Sequence, residues 1–492
     1  EDTTEEHARF CRELVERSGG FYNAGPYTPY AYRAPGTPPR SSIHFPGSVG
    51  GANWGGSASD PTLGYVFVNT MDEASFGWVE EHPNEEALFA YRRNSIVGPM
   101  QRFHWFDGDP EVGNVIDSGE GAWLCNKPPW GNLVAVNAST GDIAWKVPLG
   151  ITEELPEEKQ RTGRVSFGGP ITTAGGLVFI AATNDRRFRA FDSRTGKELW
   201  VSPVLLHHAT QYSLGEWKGK AVMVASMIDL SHWKFKLERE GYLLSLEAGK
   251  PILTFDLPPA IPHQKNQLCQ GKFLVTGTNR KETQFHLVDP ETAEITKEFA
   301  FEKPDRYFGW NGKEYAEQDF VPEYVDKILR GKGQPTPSTV HAFEDRIYFW
   351  RYDSGDIGCI EVKTGKSTLV EAPIQVLADK VVWNKVDFQF TKGILNSRDF
   401  NVNKRVGSVR GIQRGGFGHT NPAYPVRHKD KLYWQGGAGV LYVIDLTKPF
   451  SPDALSWVAT DPVGASWTFG APAIDESGIY VRSQRDLVRI TP

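Results

Sequence analysis

The sequence predicts an all-β chain, a single closed β-propeller of seven or eight four-stranded blades with an N-terminal helix and inserted loops. Three observations carry this. The first is a repeated passage, NLVAVNASTGDIAW over residues 132–145 and FRAFDSRTGKELW over residues 188–200. In each, an alternating apolar strand ends on Asn137 or Asp192, a turn carries Thr-Gly, and the next strand ends in Trp145 or Trp200. The Asn or Asp side chain bonds the turn backbone, Gly takes a positive φ, and Trp offers a flat surface for packing sheet on sheet. Trp145 and Trp200 are therefore expected at equivalent positions between blades. The second observation is recurrence: degenerate copies at 243–250, 285–294, 357–366 and 440–448, with a last strand pair at 478–483 and 487–490, bring the count to seven units. The third is composition, with 50 Gly, 33 Pro and 15 Trp among 492 residues, which suits many short strands and turns.

The elements follow in order. Residues 2–17 predict a helix, with Thr3 and Glu6 as a capping box, apolar Phe10, Leu14 and Val15 on one side, and Gly19-Gly20 as the stop. Residues 21–40, rich in Pro, Gly and Tyr, predict an extended ordered loop. A strand at 65–69 is followed by a polar excursion over 72–129 before the first Thr-Gly unit closes. Turn glycines at 141, 196 and 249 recur at the spacing of one blade. Beyond them the intervals stretch, which marks 302–334 and 371–420 as insertions, and insertions on a propeller gather on a binding face. The N-terminal segment is expected to complete the last blade, which removes an open sheet edge.

The charge balance excludes some functions. Lys and Arg number 54 against 60 Asp and Glu, for a net charge of −6, and the basic residues are scattered, so there is no electrostatic footprint for nucleic acid. No apolar run approaches the roughly 20 residues of a membrane helix. The chain begins at Glu1, which reads as a processed product or a piece of a longer one. Cys11, Cys125, Cys269 and Cys359 form no Cys-x-x-Cys pair and no Cys-x-x-Cys-His, against a zinc ribbon, a dithiol motif or a haem. Two disulfides and four free thiols both remain open on sequence.

Four further constellations have a bland reading that outweighs the sharp one. Asp107-Gly108-Asp109-Pro110-Glu111 has carboxylates for calcium but lacks the EF-hand rhythm and reads as a solvated loop. His207, His208 and His232 could ligate a metal, yet neighbouring strand residues point to opposite faces. Arg405, Arg410 and Arg414 beside the segment 415–420 could make an anion-binding rim, but read as an exposed insertion. Asn137-Ala138-Ser139 matches a glycosylation acceptor inside the repeat turn.

One resemblance rests on specific motifs. Phe45-Pro46-Gly47, Gly50-Gly51-Ala52-Asn53-Trp54-Gly55-Gly56, Asp60-Pro61, Pro128-Pro129-Trp130-Gly131 and Thr173-Ala174-Gly175-Gly176-Leu177-Val178-Phe179, running into the second Thr-Gly unit, are similar to the C-terminal part of the pyrroloquinoline quinone (PQQ) dependent alcohol and sugar dehydrogenases. The resemblance covers about residues 1–225. From about 227 the chain resembles the broader PQQ-like repeat propellers. The domain reading is thus a helix and extended loop over 1–40, dehydrogenase-like blades over 41–225, and repeat blades over 226–492 completing the same propeller.

The resemblance implies an eight-bladed propeller, a periplasmic or secreted location, and PQQ at the hub beside calcium or a lanthanide. It places Asn53 as the residue approaching the cofactor, with Trp54 beside it. The family's adjacent Cys-Cys pair, its Glu, Asn and Asp metal set and its catalytic Asp are not found, so no catalytic residue and no metal ligand are assigned. Two functions follow. The first is a secreted or periplasmic propeller related to these enzymes and not catalytic as an isolated chain. The alternative is a PQQ-dependent oxidoreductase of alcohols or sugars whose missing elements come from a longer precursor or a partner chain. The expected partners are a small alcohol or sugar, or a protein at the propeller face, and no nucleic acid. Because Cys11 and Cys125 both lie in the dehydrogenase-like half and flank its first blade, they are expected to form a disulfide, and Cys269 and Cys359 are expected to be unbonded.

Overall fold

The computed structural model describes residues 2–47, 51–52, 55–84, 90–97, 103–106, 122–166, 168–181, 183–202, 208–228, 239–246, 251–257, 267–278, 283–300, 303–320, 337–351, 356–383, 423–436, 439–461, 470–482 and 486–491. The chain divides into two compact units, Glu1–Ser213 with Ala225–Thr254, and Leu214–Val224 with Phe255–Pro492. Among the described residues no helix is long and apolar enough to cross a membrane.

The first unit opens with helix α1 (Glu5–Arg17). Its N-cap is Thr4, whose hydroxyl accepts from the His7 amide at 3.2 Å. The expected Thr3–Glu6 capping box does not form, because Thr3 Oγ1 lies 2.6 Å from Nδ1 of buried His7, four residues on, and that local contact claims it. The C-terminus stops as expected: Gly19 donates to the Glu16 carbonyl and Gly20 to Val15, both glycines at positive φ, which satisfies the last carbonyls.

The strands of this unit are β1 (Phe21–Tyr22), β2 (Ala31–Tyr32), β3 (Ser41–His44), β4 (Ser57–Asp60), β5 (Tyr65–Met71), β6 (Ser75–Glu81), β7 (Tyr91–Asn94), β8 (His104–Phe106), β9 (Ala122–Leu124), β10 (Gly131–Asn137), β11 (Ile143–Pro148), β12 (Ile171–Thr172), β13 (Leu177–Ile180), β14 (Arg189–Asp192) and β15 (Glu198–Val201). Two antiparallel sheets, β4-β5-β10-β11 and β12-β13-β14-β15, have the order of propeller blades. Their facing sides share a core of Phe67, Leu133, Ala135, Val178, Ile180 and Phe191, all at most 1% exposed, the interdigitated packing of sheet on sheet.

The excursion between β5 and β10 differs from its polar reading. It carries β6, whose Phe76 and Trp78 are fully buried, and β6 pairs with β3, β2 and β7 in a sheet that also holds β1. Ser, Gly and Glu in Ser75–Glu81 mask the hydrophobic character of a strand buried on one side. The N-terminal strands thus pair with the excursion among the described residues. The terminal sheet, given below, holds three strands there.

The repeat turns follow the sequence grammar closely. Asn137 Oδ1 accepts from the amides of Ser139 and Thr140, and Asp192 Oδ1 from those of Arg194 and Thr195. Gly141 and Gly196 sit at φ 80° and 69°. Trp145 lies across the next sheet's turn, donating Nε1 to the Ser193 carbonyl at 3.1 Å, and a Cβ added to Gly196 would fall 2.6 Å from its ring. Trp200 has the same register, opposite Ala190 as Trp145 is opposite Ala135, and each meets the aromatic ring of its own sheet, Phe179 and Phe67 respectively. The turn at 247–250 lies outside the described residues.

Strands β16 (His208–Trp217), β17 (Lys220–Ile228), β18 (Arg239–Ser245) and β19 (Pro251–Asp256) form a sheet in sequence order. The second unit continues with β20 (Gln267–Cys269), β21 (Lys272–Thr278), β22 (Thr283–Val288), β23 (Ile295–Ala300), β24 (Arg306–Trp310), β25 (Tyr315–Glu317), β26 (Pro337–Phe343), β27 (Arg346–Arg351), β28 (Ile357–Glu361), β29 (Ser367–Val370), β30 (Gln375–Val376), β31 (Val381–Val382), β32 (Val426–His428), β33 (Lys431–Gly436), β34 (Val440–Asp445), β35 (Leu455–Ala459), β36 (Ala473–Asp475), β37 (Gly478–Arg482) and β38 (Leu487–Ile490). The blades here are β20–β23, β26–β29, β32–β35 and the three-stranded β36–β38. Among the described residues this gives seven blade-like sheets. Cores fill the space from β20–β23 to β26–β29, around Phe285 and Phe349, and from β26–β29 to β32–β35, around Trp350 and Trp434.

Both expected insertions begin with ordered structure. The hairpin β24-β25 adds to β26–β29 through a parallel pairing of β24 with β29, and β30-β31 forms a separate hairpin. They meet: Trp310 stacks on Trp383 at 4.7 Å with 6° between planes, and Tyr315 and Trp457 meet Trp383 edge-on.

Cys11 and Cys125 are disulfide-bonded, which joins α1 to the excursion, and Cys269 and Cys359 are buried free thiols.

Candidate functional site

The resemblance points to the stretch ahead of β4. Asn53 and Trp54 lie outside the described residues, and the residues on either side show which end of the blades the stretch belongs to. Gly51 pairs with Met71, the last residue of β5, through Gly51 N–H to Met71 O at 2.7 Å and the reciprocal bond at 3.0 Å. Gly169 approaches the Gly55 carbonyl so closely that a Cβ on Gly169 would fall 1.8 Å from that oxygen. Both contacts lie where β5 and β13 finish and β10 and β14 begin.

Buried polar side chains concentrate at that end. Asn69 donates Nδ2 to the Ser166 carbonyl at 2.9 Å, and Asn132 donates to Asp72 Oδ2 at 3.1 Å. The buried Tyr212 hydroxyl donates to the Gly169 carbonyl and accepts from the Ala181 amide at 3.0 Å, and burial raises its pKa. These bonds tie the loop that follows β11 to the tips of β5 and β13.

The charged centre of the cluster is Arg189 with Asp185. Their side chains are 2% and 5% exposed and form a two-pronged ion pair through Nη1 and Nη2, while Arg189 Nε reaches Glu198 at 3.2 Å. Burial pushes the Asp185 carboxyl up. The Arg189 charge and hydrogen bonds from Arg189, Thr183 and the Ile151 amide overcome that and hold it below the usual carboxylate range. Arg164, 4% exposed, donates Nη1 to Thr152, and burial lowers its pKa against the opposing charges of Asp185 and Glu154.

This chemistry locks geometry. Asp185 spends its lone pairs on its four donors and gains no basicity from its surroundings, so it does not resemble a group poised to take a proton. Calcium takes about six to eight oxygen ligands. Among the described residues no three carboxylate or imidazole groups converge at this end: Asp185 is saturated, and Glu73, 1% exposed, is a second buried carboxylate outside any such group. The described residues therefore do not fit a calcium or lanthanide centre, and no chemical step is routed through one.

Asp107 to Glu111, His207, His232, Arg405, Arg410, Arg414 and 415–420 lie outside the described residues, and His208 is described only as the first residue of β16. Asn137 is engaged in its turn, as the structural reading of its Asn-Ala-Ser context holds. Sequence reasoning missed Arg164, Asp185 and Arg189. The available signal was the charged run Asn184 to Arg189 on a loop too short to leave the sheet.

The comparisons bear on the first unit. Residues 1–213 match the family described as PQQ: Glucose/ethanol/alcohol dehydrogenase, beta-propeller domain. Over 176 residues the chain is 38% identical to a quinate/shikimate dehydrogenase (quinone) of Acinetobacter baylyi, and over 182 residues it is 37% identical to a probable quinate dehydrogenase (quinone) of Xanthomonas campestris pv. juglandis. Each alignment covers 34% of this chain and 22% of the relative. A quinoprotein glucose dehydrogenase of Escherichia coli is 29% identical over 181 residues, covering 33% of this chain and 22% of its own length. The chain thus spans about a fifth of the curated relatives it matches. Residues 1–213 carry a PQQ dehydrogenase β-propeller domain and are related to quinoprotein dehydrogenases of quinate and glucose.

Proposed function

We propose that this chain is a periplasmic or secreted propeller that keeps the cofactor-facing frame of the quinoprotein dehydrogenases and does not oxidise alcohols or sugars by itself. The observation that carries this reading is the state of Asp185. Alcohol oxidation needs a base for the hydroxyl proton, and Asp185, the carboxylate at the charged centre of this cluster, is bound by Arg189, Thr183 and the Ile151 amide. The Cys11–Cys125 disulfide supports an oxidising compartment. In this reading Asn53 and Trp54 face a small alcohol or sugar, or a protein partner.

A second reading has its own support, the 38% identity over 176 residues to a quinate/shikimate dehydrogenase (quinone). PQQ oxidation by an assembly that further chain completes would then use these residues as one wall.

One experiment separates the two. The purified chain is mixed with PQQ, calcium or lanthanum, an artificial dye acceptor, and a panel of alcohols, aldoses and quinate. The first reading expects no sustained dye reduction. Sustained reduction by the chain alone that is lost in Asn53→Ala overturns it, whereas reduction that appears only when the remaining part of a quinoprotein dehydrogenase is supplied in trans, and is lost in Asn53→Ala, establishes the second.

A further inference from the structure

A cluster beneath helix α1 has the donor chemistry of a metal site. His7 and Cys11 stand one helical turn apart on the buried side of α1, where residues four apart share a face. Cys125 follows the β8-β9 hairpin and is fixed by its own amide bond to the Phe103 carbonyl at 2.9 Å. The neighbouring Asn126 side chain donates to the Asp72 carbonyl at 2.7 Å. A ring nitrogen of His7 and both sulfurs lie within 4.8 Å of one another. Among the described residues this is where three such groups converge.

We propose that His7, Cys11 and Cys125 form a redox-gated site for a soft or borderline metal ion, closed while the disulfide stands and open once a dithiol reduces it. Two thiolates and an imidazole select Zn(II), Cu(I) or Co(II) over calcium, which wants oxygen. The surroundings agree: the His7 ring meets Trp123 and Trp130 edge-on at 5.4 and 6.2 Å, and Cys125 packs on Leu14, Phe76 and Phe103. Thr3 Oγ1, 2.6 Å from His7 Nδ1, and backbone hydrogen bonds to Trp123 and Leu124 orient the ring, and metal binding exchanges one of these hydrogen bonds for a metal–nitrogen bond. Tetrahedral Zn–S bonds of about 2.3 Å place two sulfurs roughly 3.8 Å apart. The Cα atoms stand 5.4 Å apart, so side-chain rotation reaches that spacing with the backbone in place.

The chemistry balances. A dithiol gives two electrons and two protons to the S–S bond, leaving two protein thiols and a cyclic disulfide of the reductant. A divalent ion then releases both thiol protons to solvent, forms two metal–sulfur bonds and one metal–nitrogen bond, and takes water as its fourth ligand.

The test uses the full chain. It is reduced with dithiothreitol, desalted without oxygen and titrated with Co(II), with the tetrahedral d–d bands and the thiolate charge-transfer band as readout. The expected result is one equivalent bound by the reduced chain and none by the oxidised chain. The spectrum should be lost in Cys125→Ser, where buried Cys269 and Cys359 remain as internal controls. His7→Gln should weaken binding by more than the ~10–100-fold typical of losing an outer-shell partner. Retention of the spectrum in Cys125→Ser, or unchanged affinity in His7→Gln, overturns the proposal. Circular dichroism covers the case in which reduction loosens the fold: Zn(II) should restore the lost signal, and failure to restore it also overturns the proposal.

Discussion

Sheets β12–β15 and β26–β29 are built to one plan and secured by different chemistry. Each ends its third strand in a repeat turn, and each buries an arginine where its second and third strands meet the connecting loop. In the first, Arg189 is locked by Asp185 and Glu198. In the second, Arg351, 1% exposed, lies with its guanidinium 4.5 Å from the Phe320 ring centre, and Phe320 comes from the sequence insertion. The turns differ as well. Gly196 lies under Trp145, whereas Gly365, at a similar φ of 73°, has open space where a Cβ would go. The second blade thus adds an aromatic face against its buried cation where the first sets a two-pronged carboxylate, and these local partners shape how each blade responds to pH and mutation.

The largest effect expected from this contrast is at the buried pair. Asp185→Asn leaves Arg189 buried with its main counter-charge gone, which should cost about 3–5 kcal/mol in denaturant unfolding. Phe320→Leu keeps apolar bulk and removes the ring face, and should cost only ~0.5–2 kcal/mol. Equal costs would break the comparison.

The turns come next. Gly196→Ala forces a left-handed alanine and drives its Cβ into Trp145, for about 2–4 kcal/mol. Gly365→Ala carries the backbone cost alone, ~1 kcal/mol. Urea midpoints of the two variants check this, and a Gly365→Ala loss as large as that of Gly196→Ala would show that Trp145 yields without cost.

What the sequence revealed follows the range of each interaction. The turns were legible because Asn137, Asp192 and their glycines act within five residues. The disulfide partners were legible once the dehydrogenase-like half was recognised. The helix cap was misplaced because Thr3 and Thr4 are equal candidates locally, and His7 decides between them. Strand β6 was hidden because Ser75 and Gly77 read as polar excursion until burial of Phe76 and Trp78 is seen. Arg189 and Asp185 were invisible as a site because a charged run reads as solvated unless its loop is known to turn inward. Asn53 and Trp54, the residues that carry the functional resemblance, lie outside the described residues.

Acid should separate the two blades further. The folded-state pKa of Asp185 lies below its unfolded value of about 3.9, so its contribution to stability is present above that value. It is lost as the pH falls through the lower, folded value. Acid titration followed by tryptophan fluorescence should therefore show a falling stability below about pH 4 that Asp185→Asn flattens and Phe320→Leu leaves unchanged. A wild-type-like acid limb in Asp185→Asn would assign acid sensitivity to other carboxylates.

The smallest effect tests how far the turn backbone is set by the meander and how far by glycine. At Ala293 the repeat carries no glycine, yet the turn is the same: Ala293 donates to the Asp289 carbonyl at 2.9 Å and Asp289 to that of Glu294 at 2.9 Å, matching Gly196 with Asp192 and Asp192 with Lys197. The alanine is held at φ 60°, where its Cβ crowds the following carbonyl, at a cost of about 1–2 kcal/mol. Ala293→Gly relieves that strain but frees the unfolded chain, which returns ~0.4–1 kcal/mol. The variant should be more stable than the parent by a net ~0.5–1 kcal/mol, read as a higher urea midpoint with an unchanged slope. A lower midpoint would mean that Ala293 packs productively in the left-handed conformation, and that strand pairing across β22 and β23 sets this turn without help from glycine.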